Sequence, residues 1–130
     1  MGFRSSFFLV LLSIIMTAGL SGAVQANSNL QAFSGEIMDD LCAKDKTHSK
    51  MMEEMKSMGT DPAVCSRKCV ELGAKYVLYD RQKDAVYSIE DQDKAEAFAG
   101  RKVRIWGTFD KKKIKIEKIE PAESSSLRAK

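Results

Sequence analysis

The sequence predicts a mainly β domain: a small five-stranded barrel, OB-like in its strand order, with one helix between strands 3 and 4 and a two-helix insertion between strands 1 and 2. Three observations predict it. Five segments carry the two-residue apolar alternation of half-buried strands. Two further stretches carry helical spacing between clear start and stop signals. The order in which these appear is strand, two helices, strand, strand, helix, strand, strand. With the first helical pair set aside as an elaborated loop, that is the five-strand order of an OB-fold.

The first strand is read from FSGEIMD, where Phe33, Gly35 and Ile37 share one face and Ser34 and Glu36 the other. A helix follows in KDKTHSKMMEEMKSMG. Asp45 or Thr47 is its expected cap and Gly59 its expected stop, with His48, Met51, Met52, Met55 and Met58 along the apolar side. The second helix has sharper punctuation in DPAVCSRKCVELG. Asp61 is a natural N-cap, Pro62 fits the first helical position, and Gly73 suits the left-handed residue beyond the end. Cys65, Cys69 and Leu72 recur at i, i+4 and i+7, so they are expected inward, with Ser66, Arg67, Lys68 and Glu71 towards solvent.

KYVLYD and AVYSIE read as a hairpin across RQKD. DQDKAEAFAG reads as a short helix capped by Asp91, closed by Gly100, with Ala95, Phe98 and Ala99 inward. KVRIWGTF and IKIEKIE form a second hairpin whose charged tip includes Lys111 to Lys113. In the last strand Ile114 and Ile116 alternate and Ile119 breaks phase by one residue, which predicts a β-bulge.

The ends of the chain bear on compartment. Residues 1–26 read as a signal peptide: Arg4 in a positive n-region, the apolar run FFLVLLSIIMTAGL, and Val24 and Ala26 before the cleavage point. The run is shorter than the roughly 20 residues of a spanning helix, so no membrane span is expected after cleavage. Residues 27–32 are expected to be a flexible N-terminus, 33–120 the OB-like domain with its helical Cys/His insertion at about 42–73, and 121–130 a polar, disordered tail. The expected location is periplasmic or secreted. The formal charge of +3 includes Arg4; so small a balance gives no electrostatic case for nucleic acid.

The chain has three cysteines and one histidine. Cys42, His48, Cys65 and Cys69 make a Cys3His set, a common tetrahedral zinc combination. Cys65 in the first turn of its helix gains thiolate character from the helix dipole. Copper(I) is the alternative metal, since thiolates and thioethers are soft ligands. Asp39 is the candidate acceptor for the ligand histidine's other nitrogen, and Asp39 and Asp40 are otherwise turn formers.

A rival reading, without metal, pairs Cys42 with Cys65 or Cys69 in a disulfide. Cys65 and Cys69, four apart on one helix, are too far apart to bond to each other. One thiol is then left over. In that case the protein is an interaction module for an envelope partner, with Trp106 and Tyr79 or Tyr87 as aromatic candidates on its face. The remaining reading is three cysteines filling a core. Thioredoxin-like chemistry wants C-x-x-C on a parallel unit, and no hydrolase motif is present, so no catalytic residue is assigned.

The runs GEIMDDLC, CSRKCVELGAKYVLYD, VYSIEDQ, AFAGRKVRIWGTF and IKIEKI resemble a family of small exported bacterial OB-fold-like proteins. Its pattern is G-x-[IV]-x-D-x-x-C, a histidine, then C-x-x-x-C. Gly35, Asp39, Cys42, His48, Cys65 and Cys69 match it. The resemblance implies export and the fold, and names no reaction. This chain departs from the pattern in a longer Met-rich segment before Cys65.

Overall fold

A computed structural model describes residues 29–122. The expected signal peptide, at 1–26, and nearly all of the expected tail lie outside these residues. Five strands and four α-helices follow the order β1 (Leu30–Asp39), α1 (Asp40–Asp45), α2 (Ser49–Glu54), a 3-10 turn (Lys56–Met58), α3 (Pro62–Glu71), β2 (Tyr76–Asp80), β3 (Ala85–Ile89), α4 (Gln92–Glu96), β4 (Lys102–Asp110) and β5 (Lys113–Pro121). None of the described helices is long and apolar enough to cross a membrane.

The strands close on themselves in the order β1-β2-β3-β5-β4, with β4 returning to β1. Every pairing is antiparallel except a short parallel one between β3 and β5, at Ser88↔Lys113 and Ile89↔Ile114. The expected bulge is present. Trp106 faces Lys118 and Gly107 faces Ile116, so Glu117 is the extra residue of β5.

Two cores share one wall. Phe33, Ile37, Tyr76, Leu78, Val103, Ile105, Ile114 and Ile116 are among the residues that fill the barrel. Met38, Cys42, Ala43, Met58, Cys65, Cys69, Ala74, Val77 and Tyr79 form a second core under the helices. Alternate residues of β2 therefore enter different cores: Tyr76 and Leu78 point one way, Val77 and Tyr79 the other. That is why all five residues of β2 are buried and the strand reads as a continuous apolar run.

Several sequence expectations change. The first strand starts at Leu30, because Leu30 to Ala32 pair with Thr108 to Trp106, so this part of 27–32 is strand. Cys42 lies on α1, a helix not foreseen: Asp39, in extended backbone, accepts the Cys42 N–H at 2.9 Å and caps it. Asp45 therefore ends a helix instead of starting one. The long Met-rich helix is divided into α2 and the 3-10 turn, with His48 as the α2 cap residue and Met55 at the break. Of its expected apolar side, His48 and Met58 are buried while Met55 is exposed.

The punctuation of α3 holds: Asp61 Oδ1 accepts from Ala63 N at 2.8 Å, Pro62 opens the helix, and Gly73 has φ 107°. Its faces differ from the simple spacing at two positions. Leu72 stands beyond the last helical turn and is 71% exposed, whereas Ser66 is fully buried. Asp91 occupies the cap position of α4 without capping it, because its Oδ2 accepts from Ile116 N of β5 at 2.7 Å. Tyr79 is buried in the second core and is not a surface aromatic.

Gly100 fixes α3 to the barrel. Its φ is +71°, its N–H donates to Ile37 O at 2.8 Å, and an added Cβ would run into the backbone of Pro62 and Ala63. Gly73 has a positive φ too, but open space where a Cβ would stand. Gly73→Ala is expected to cost about 1 kcal/mol, for backbone strain alone. Gly100→Ala should cost about 3 kcal/mol or more, since α3 must also shift. Urea denaturation of the two variants measures the difference; equal costs would mean that α3 is not held through this contact.

Candidate metal centre

The second core gathers the cysteines. Cys42 comes from α1, whose start is set by the Asp39 cap. Cys65 and Cys69 come from consecutive turns of α3 and project to the same side. All three side chains are buried and none is in a disulfide. Their Sγ atoms lie within 4.8 Å of one another, and Cys42 Sγ is 3.9 Å from Cys65 Sγ. Two thiolates sharing a tetrahedral zinc with Zn–S about 2.3 Å stand roughly 3.8 Å apart. A disulfide needs about 2.05 Å. The Cys42–Cys65 spacing thus matches two ligands of a common ion, with Cys69 near enough to join them.

His48 joins the centre from its other side. Its ligand atom lies within 4.8 Å of Cys42 Sγ and of an Asp39 carboxylate oxygen, and these three form a set of their own. Cys42 belongs to both sets. The four residues expected as one Cys3His site are therefore brought into one buried region with Asp39, the five forming two overlapping groups of three with Cys42 in common.

The hydrogen bonds of His48 exchange the roles expected for the carboxylates. Nε2 lies 3.1 Å from Glu36 Oε1, so Glu36 is the acceptor that orients the ring. With Nε2–H donating there, the neutral imidazole presents its lone pair at Nδ1, which has no hydrogen-bond partner. Asp39 was the expected acceptor, but its Oδ2 is 3.9 Å from Nδ1, beyond hydrogen-bond reach. That oxygen is likewise buried and unpartnered. The alternation of β1 puts Glu36 on the face opposite Phe33, Gly35 and Ile37, which in a half-buried strand is the solvent side. The signal against this was Met38, two residues on and therefore on the same face, an apolar residue where a solvated strand would carry a polar one.

Two of the three sulfurs are held in the thiol form by their surroundings. Burial first, then the charge of Asp39, raises the Cys42 thiol far above its ordinary range. Burial and then Asp39 push Cys69 up to about 12. Without a cation these two sulfurs stay protonated at neutral pH. The carboxylate that opposes their ionisation would instead favour a positive ion placed among them.

No protein-family model, curated protein or solved structure matches this chain. The centre is accordingly read from its own donors: three soft sulfurs, one imidazole nitrogen and one carboxylate oxygen.

Because all three thiols are buried, iodoacetamide should label them at least about tenfold more slowly in the folded, reduced, metal-free protein than in urea. In urea all three should react, as counted by intact mass. Rapid labelling of any of them in the folded state would show that the centre is open to solvent.

Proposed function

We propose that this chain is an exported, non-catalytic protein that binds a transition metal, zinc or copper, through Cys42, Cys65, Cys69 and His48. The observation that carries the reading is the convergence of three buried thiol sulfurs within 4.8 Å of one another. Sulfur donors of this kind select zinc and copper(I) over magnesium or calcium. His48 is the nitrogen donor of the centre, held by Glu36 through Nε2 at 3.1 Å.

The scaffold is read as an OB-like barrel. The strand order β1-β2-β3-β5-β4, the return of β4 to β1 and a helix between β3 and β4 support that reading. The helices between β1 and β2 are then an elaborated loop that carries the cysteines. Export is read from the leader-like residues 1–26 and from the resemblance to small exported bacterial proteins. In an oxidising compartment a metal gives all three thiols a use and protects them. A non-catalytic role follows from burial: no thiol of the centre is presented to a substrate.

A second reading changes the rotamers of Cys42 and Cys65, whose sulfurs stand 3.9 Å apart, so that these two close into a disulfide and Cys69 stays free. The protein is then a stapled module for an envelope partner. Trp106, half-buried on β4 with Arg104 and Lys118 over its ring, is the aromatic such a surface would offer.

Metal analysis with intact mass, on protein purified from its native compartment, separates the two. The expected result is stoichiometric zinc or copper and three thiols open to alkylation after chelation and unfolding. A chain two hydrogens lighter, with one titratable thiol and no metal, would overturn the metal reading. Cys65→Ser should weaken binding by more than about a hundredfold. Free metal at about 100 times its Kd should stabilise the fold by about 2.7 kcal/mol, raising Tm by roughly 10–20 °C. Calorimetry with and without chelator measures that shift.

A further inference from the structure

Two buried lone-pair atoms face one another beside Cys42. Asp39 Oδ2 and His48 Nδ1 are 3.9 Å apart, and neither has a hydrogen-bond partner. Asp39 is fully buried and His48 is 5% exposed. The ring cannot turn Nδ1 away without giving up Glu36 at Nε2. The carboxylate is also fixed, since its Oδ1 accepts the Cys42 N–H that starts α1. A buried acceptor left without a partner is costly, and more so when charged. Two of them held towards one space call for a positive group between them.

Resting on the metal-binding reading, we infer that the centre holds two divalent ions, with the Cys42 thiolate as the bridge. One ion takes Cys42, Cys65 and Cys69; the other takes Cys42 Sγ, Asp39 Oδ2 and His48 Nδ1. Both donor sets have a ligand atom from each residue within 4.8 Å of one another, and Asp39 Oδ2 and His48 Nδ1, 3.9 Å apart, need draw in by only a few tenths of an ångström to sit about 2.0 Å from a shared ion.

Charge supports two ions over one. Three thiolates and the Asp39 carboxylate carry four negative charges among the donors, with the half-buried Glu36 carboxylate a fifth against His48 Nε2, and two divalent ions offset most of them. A single divalent ion would leave two of the donors' charges uncompensated, which is costly away from water. Donor chemistry narrows the metal. A mixed sulfur, nitrogen and oxygen set suits zinc, whereas copper(I) prefers sulfur and is poorly served by a carboxylate. Loading breaks the S–H bonds of the three thiols, and their protons pass to solvent as the metal–sulfur bonds form.

The experiment is zinc titration of the reduced, metal-free protein followed by native mass spectrometry. Two zinc ions per wild-type chain are expected. His48→Ala and, separately, Asp39→Asn should each lose one ion and keep the other, with the three cysteines still protected from alkylation. Cobalt(II) gives a second readout: its thiolate charge-transfer bands should survive in His48→Ala while the total bound falls by one equivalent. One zinc per wild-type chain would overturn the two-ion inference and leave the metal-binding function standing. So would two zincs retained unchanged in His48→Ala. No zinc bound at all would overturn the two-ion inference and the zinc form of the metal-binding reading, and a parallel copper(I) titration that also showed no binding would overturn that reading entirely.

Discussion

The hydrogen bond from Cys42 N–H to Asp39 Oδ1 is the point on which the rest of this structure turns. At Asp39 the chain leaves the barrel wall, and the carboxylate receives the first free N–H of α1 at 2.9 Å. This one contact starts a helix directly from the end of a strand and places Cys42 on its first turn. The same carboxylate then has a second oxygen with nowhere to go. A group that serves as a helix cap is thereby also a member of the candidate metal centre, and the geometry of the two cannot be separated.

Around that corner the fold divides its apolar residues between two compartments. β1 and β2 are the wall between them, each sending alternate side chains into the barrel and into the space beneath the helices. A barrel this small has no room inside for a ligand once its own side chains fill it. The outer compartment is where a buried site can be built, because helices of short length and irregular spacing can close over it. Gly100 allows α3 to lie directly on backbone there, and the cysteines reach Cys42 as a result.

Much of this was readable in the sequence, for reasons particular to each part. The strands alternate because most have one filled face, and the two-residue period survives in them. The boundaries of α3 are stated by Asp61, Pro62 and Gly73, three residues whose preferences are local. What the sequence concealed depended on tertiary contacts. Asp39 and Asp40 look like turn formers, and α1 is visible only once the chain's exit from the barrel is known. The Met-rich stretch has helical spacing throughout, but Met55 breaks it, with φ −119° and ψ 87°. In the centre, the four ligand candidates were identified from residue type. Their arrangement as two groups was not, because it depends on Glu36, a residue that looks solvated until the helices cover its face.

The parallel pairing of β3 with β5 has a consequence for motion. It spans only two residue pairs, and side chains and main chain around it supply the remaining links: Asp91 to Ile116 N, Lys94 Nζ to Ile116 O, and Glu90 N to Ile114 O. In the strand order this seam lies across the barrel from β1. Local opening follows the least-connected boundary, so the barrel would breathe at β3/β5 while β1 and β2 stay joined. The cysteines and His48 are mounted on that opposite side. The sheet can therefore loosen at that seam without disturbing the buried cluster of Cys42, Cys65, Cys69 and His48.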